Sequence, residues 1–144
     1  MIKMLIISAV FICSQAIAPA RPCTTTEARK AEAVIARLDR WEDIYRSFKM
    51  YRQCDDGAVA EAFSNSIVRM CAVRWDQFDV LRVFASSDKD FYSFVLRHID
   101  ATAAKTDIER AIVNSTKNCP VGANNICSAI AQAAKRALRG MPDN

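Results

Sequence analysis

The sequence predicts an all-α fold, a single compact domain of five or six helices with about two disulfides. Three observations carry that expectation. Apolar residues recur at spacings of three and four through most of the chain, the period of a buried helix face. No segment alternates apolar and polar residues with period two, and only three of the 144 residues are glycine. Two Thr-x-x-Glu boxes, Thr24–Glu27 and Thr106–Glu109, mark helix starts, because each side chain can satisfy the other residue's free N–H.

Residues 1–18 read as a secretory signal peptide. Lys3 supplies the positive charge, Met4 to Ile12 form a nine-residue apolar run, and the small residues of "SQAIAPA" follow. Nine apolar residues are too few to span a bilayer. The helical domain then occupies residues 19–144. Its first helix is expected to start at Thr24 and run to about Arg52, with Val34, Leu38, Trp41, Tyr45 and Phe48 on one face. A second starts at Asp55 or Asp56 and carries Phe63, Ile67, Cys71 and Trp75. Asp76 is expected to cap a short third helix bearing Phe78, Leu81 and Phe84. "ASSDKD" from Ala85 to Asp90 reads as a loop before a fourth helix with Phe91, Phe94, Val95 and Ile99. Thr106 opens the next, and Pro120 and Gly122 interrupt the chain before a last helix with Ile126, Ile130, Ala134 and Leu138. Gly140 closes that helix and Pro142 prevents its continuation.

Loss of residues 1–18 removes one lysine and no acid, which lowers the formal charge from +4 to +3. Acids and bases interleave along the chain, as on a solvated helical surface, so no nucleic-acid partner is expected. No stretch after the leader is apolar enough to insert stably in a membrane. Zinc-ligand spacings, Gly-rich phosphate loops and other cofactor motifs do not occur, so no metal or cofactor is expected.

Five cysteines follow the leader: Cys23, Cys54, Cys71, Cys119 and Cys127. An exported chain meets an oxidising compartment, and an odd count leaves one thiol over. Cys71 falls on the core stripe of its helix and is the candidate free thiol. The expected bridges are Cys23–Cys54 and Cys119–Cys127. Four cysteines still allow three pairings, and Cys71 or Cys23 could instead join two chains as a homodimer.

Few residues suggest chemistry. In "YRQCDDGAVAEAF", Asp55 and Asp56 can cap a helix whose sharp entry Gly57 eases. The competing reading makes Asp55, Asp56 and Glu61 a carboxylate cluster, although the spacing of five from Asp56 to Glu61 places them poorly on one face. His98, the only histidine, would need a nucleophile and an orienting group within reach to act as a base. Tyr51 and Tyr92, near helix ends, are expected to be exposed. With Asp55, Asp56 and His98 they make a possible interaction surface. "CPVGANNIC" from Cys119 to Cys127 is a candidate presented loop, rigid enough to lose little entropy on binding.

With "YRQCDDGAVAEAF", "FVLRHIDAT" and "NCPVGANNIC", the chain resembles small exported bacterial proteins of a family without an assigned activity. Its general build is also similar to periplasmic immunity proteins, which neutralise peptidoglycan-degrading toxins. That second likeness is architectural and transfers no residue roles. The expected function is a periplasmic or secreted protein-binding domain, an inhibitor or immunity protein, rather than an enzyme. One alternative is a carrier of an apolar ligand between Phe63, Phe78, Phe91 and Phe94. Another is an enzyme using Asp55, Asp56, Glu61 or His98.

Overall fold

A computed structural model describes residues 21–142, so the leader expected over residues 1–18 lies outside the described residues. Among the described residues seven α-helices form the domain and no strand occurs. They are α1 (Thr25–Ile35), α2 (Trp41–Tyr51), α3 (Gly57–Val73), α4 (Phe78–Ser87), α5 (Lys89–Arg97), α6 (Lys105–Lys117) and α7 (Asn124–Arg139). The count exceeds the expected five or six because the first helix is two.

α1 begins as expected: Thr24 and Glu27 form a complete capping box. The bonds from Thr24, aided by Arg21, hold the Glu27 carboxyl below its usual range. The helix nevertheless ends at Ile35, and α2 starts six residues later. Neither glycine nor proline marks the break. Side chains of α3 and its exit stabilise it by taking the carbonyls a helix would have used. Ser66 Oγ donates to the Ile35 carbonyl at 2.6 Å, and Arg69 Nη2 donates to the Leu38 carbonyl at 2.7 Å. The buried face of α1 is therefore Ala31 and Ile35, and Val34, expected in the core, is 40% exposed.

α3 is the central helix, packed against α1, α2 and α6. Phe63, Ile67 and Cys71 are almost fully buried on it. Trp75 lies beyond its end in a single 3-10 turn, where its indole N–H donates to the Asn118 carbonyl at 2.8 Å. Asp76 sits in that turn and caps nothing; it lies 3.6 Å from Arg74 instead, and α4 starts without a side-chain cap. α4 extends through Ser87, so only Asp88 separates it from α5.

α6 starts at Lys105 with Ala104 as its N-cap, which overturns the Thr106 box. Ala103 is buried, and hydrogen bonds to the Ala104 carbonyl start the helix before Thr106 is reached. Asn114 Nδ2 donates to the carbonyls of Cys71 and Ala72, both at 2.9 Å, closing the end of α3. α7 presents Ala133, Ala134 and Ala137 inward, and such small residues let α6 and α7 pack closely.

The bridges are Cys23–Cys54 and Cys119–Cys127. The first ties the chain before α1 to the 3-10 turn after α2; the second clasps the loop between α6 and α7. Cys71 is buried and free, and burial pushes its thiol up to about 12. Cys23 is therefore already paired and Cys71 enclosed, so neither is placed to join two chains through a disulfide.

Candidate functional site

Two layers of side chains meet where α2, the entry to α3 and the end of α5 converge. The inner layer is a buried polar chain. After Cys54 the backbone turns at Gly57, whose φ of +50° is the left-handed conformation that glycine adopts freely. The turn gives the two aspartates different surroundings. Asp56 is the exposed N-cap of α3 and accepts from the Gly57 N–H at 2.8 Å. Asp55 points the other way, to His98. The imidazole Nε2 lies 3.1 Å from Asp55 Oδ1 and 3.2 Å from Oδ2, so one nitrogen faces both oxygens. On the other side of the ring, Nδ1 is 3.0 Å from Ser64 Oγ. Ser64 in turn donates to Asp100 Oδ2 at 2.7 Å, and the backbone N–H and hydroxyl of Thr102 hold Asp100 Oδ1.

The line runs from Asp55 through His98 and Ser64 to Asp100, with Ser64 donating to Asp100, and Asp55 Oδ1 is buried without a hydrogen-bond partner among the described residues. Phe63 and Phe94 pack on the ring, with centroids 5.6 and 4.2 Å away. His98 is 5% exposed and Ser64 1% exposed.

The outer layer is a cleft of about 280 Å³ lined by Phe48, Arg52, Asp55, Asp90, Ser93, Phe94 and Arg97. Its floor is the pair Phe48 and Phe94, with ring centroids 4.8 Å apart. Each ring carries a guanidinium: Arg52 lies 5.9 Å from the Phe48 centroid and Arg97 5.7 Å from that of Phe94. Both arginines are exposed. Arg97 Nη2 is 4.0 Å from Asp55 Oδ2. Among the described residues, Arg52 makes no ion pair. One carboxylate spans the two helical walls. Asp88, the N-cap of α5, accepts from the Phe91 N–H at 3.0 Å, from Tyr45 Oη at 3.1 Å and from Lys49 Nζ at 2.8 Å. Lys49 first, then the Phe91 N–H, holds the Asp88 carboxyl down at about 2, and Asp88 in turn raises the Lys49 ammonium.

The structure thus brings Asp55 and His98 together and leaves Asp56 and exposed Glu61 outside the polar chain. Tyr51 is buried rather than exposed, because its ring joins the core at the end of α2. His98 is likewise inside rather than on the surface. Tyr92 is half-buried, which pushes its hydroxyl pKa up, and it lines a different cleft beside Arg82 and Asn125. The sequence reading missed Ser64 and Arg52. Ser64 had a signal, since it stands four residues before Val68 and seven before Cys71 on the buried side of α3. Arg52 had none beyond its neighbourhood to Phe48.

Among the described residues no cluster of three or more histidine, cysteine, aspartate or glutamate side chains could hold a metal ion. No described helix is long and apolar enough to cross a membrane. No protein-family model, curated protein or solved structure matches the chain.

Proposed function

We propose that this chain is an exported protein-binding domain, acting as an inhibitor or immunity protein in the periplasm or outside the cell. One observation carries the reading. At the place where polar groups converge, the reactive-looking side chains are sealed and the binding-type ones face solvent. Ser64 and His98 stand at nucleophile–base distance, but both are buried and the Ser64 proton goes to Asp100. What solvent meets is a pair of arginines laid on phenylalanine rings, a combination favoured at interface hot spots.

The enzyme reading has one observation on its side, the approach of His98 to Asp55. A reacting group would have to reach His98 past Asp55 and Phe94, which cover it. The carrier reading is disfavoured by packing. Phe63 and Phe94 touch edge to face at 4.8 Å, and Phe91 and Phe78 are buried beside other side chains. The rings fill the space a ligand would need.

The test is affinity capture. Oxidised protein, expressed as the full chain and purified after export, serves as bait in lysates of the source organism and of bacteria that share its habitat. One stoichiometric protein partner identified by mass spectrometry, above all a cell-wall hydrolase, supports the proposal. No partner above background sets it aside.

A further inference from the structure

We infer that the Arg52–Arg97 pair is a pincer for a carboxylate side chain of the partner, an aspartate or glutamate inserted above Phe48 and Phe94. This rests on the protein-binding reading and names the chemistry of its contact. Three features point to an acid. The two guanidiniums lie over adjacent rings, a contact that restrains them before anything binds and so lowers the entropy lost on binding. Their donors are unspent: neither makes a hydrogen bond to another described side chain, and Arg97 only approaches Asp55, at 4.0 Å. The Asp55 oxygen that Arg97 approaches, Oδ2, is itself engaged by His98 Nε2 at 3.2 Å.

The lining sets two guanidiniums beside two carboxylates, and it is the guanidinium fork that selects the kind of occupant. Two guanidiniums match the planar fork of a carboxylate, which arginine binds through paired N–H bonds. Asp55 and Asp90 in the same wall repel a dianion more than a monoanion, which favours a carboxylate over a phosphate. A cleft of about 280 Å³ admits one side chain with its flanking backbone.

The experiment is an NMR titration of the full chain, following the side-chain Nε–H signals of Arg52 and Arg97. The probe is glutamate capped by acetyl and amide groups, so that its only charge is the side chain. Capped glutamine and inorganic phosphate are the comparison probes. Saturable shifts of both arginine signals are expected with capped glutamate. Capped glutamine should give none, and phosphate should bind more weakly. Arg52→Gln and Arg97→Gln should each weaken binding by about tenfold. Arg52→Lys, which keeps the charge and loses the fork, should lose most of that affinity. Absence of saturation, or phosphate binding as tightly as glutamate, overturns the inference. A captured partner that still binds the Arg52→Gln, Arg97→Gln double variant overturns it as well, while leaving the protein-binding reading intact.

Discussion

Asp88→Ala removes the carboxylate that joins the two walls of the arginine cleft, and its cost can be worked from its three bonds. Loss of the cap on α5 costs about 1 kcal/mol. The Tyr45 hydroxyl, part-buried, loses an acceptor worth about 1 kcal/mol. The Lys49 ammonium is half exposed, so its ion pair adds little. The sum is about 2 kcal/mol, or about 8 °C in Tm for a domain of this size. The pH dependence follows from the position of the carboxyl. Its folded pKa, about 2, lies below the unfolded value of about 3.9. The contribution is therefore fully present above the unfolded value and is lost as pH falls through the folded one. Urea unfolding of wild type and variant should differ by about 2 kcal/mol near neutral pH, and the two curves should converge toward about pH 2. Asp88→Asn keeps a capping oxygen and loses the charge, so it should cost about half as much. A gap under about 0.5 kcal/mol at neutral pH, or one that persists unchanged in acid, refutes the reasoning.

Ser64→Ala leaves Asp100 Oδ2 and His98 Nδ1 without their buried partner and should cost about 1–3 kcal/mol in thermal or urea unfolding. His98→Phe keeps the ring volume but takes the Nε2 partner from the Asp55 carboxylate, and should cost about as much. Reducing the two bridges should have unequal effects, because they close loops of sequence separation 31 and 8. Chain entropy assigns about 3.7 kcal/mol to Cys23–Cys54 and about 2.5 kcal/mol to Cys119–Cys127, measurable with paired Cys→Ser variants. The Cys71 thiol, buried and pushed up to about 12, should resist a thiol reagent in the native protein at neutral pH. It should react stoichiometrically in denaturant, and rapid native labelling would show that α3 opens.

The local features were the legible ones. The Thr24 box, the Phe63–Ile67–Cys71 stripe and the Pro120–Gly122 interruption each depend on residues within a turn or two of one another, so spacing alone reveals them. The break between α1 and α2 was not legible, because the apolar series from Val34 to Phe48 runs through it without a glycine or proline. What ends α1 is supplied from α3, by Ser66 and Arg69, each 31 residues from the carbonyl it takes. No local propensity encodes such a donor. The Thr106 box failed for a related reason: a capping pattern is only as good as the point where the chain enters the helix. Here buried Ala103 sets that point before Thr106.

The candidate site divides along the same line, at two adjacent residues. Cap chemistry identifies Asp56, since a carboxylate at a helix start has an N–H to accept and a favourable dipole to meet. Nothing in that logic says what Asp55 does. It has no part in the cap, and its partner His98 is 43 residues away. Gly57 is the hinge between the two roles, because a positive φ at that point starts α3 abruptly and lets consecutive aspartates face opposite ways. A residue with a side chain at 57 would strain that turn and shift Asp55 relative to His98 and Arg97. Gly57→Ala therefore tests the arrangement as a whole. It should destabilise by about 1 kcal/mol through the left-handed conformation. It should also weaken the response of Arg97 to capped glutamate, although residue 57 lies outside the cleft lining. Lost stability with an unchanged Arg97 response would mean that Asp55 is held by His98 alone and that the turn serves only to start the helix.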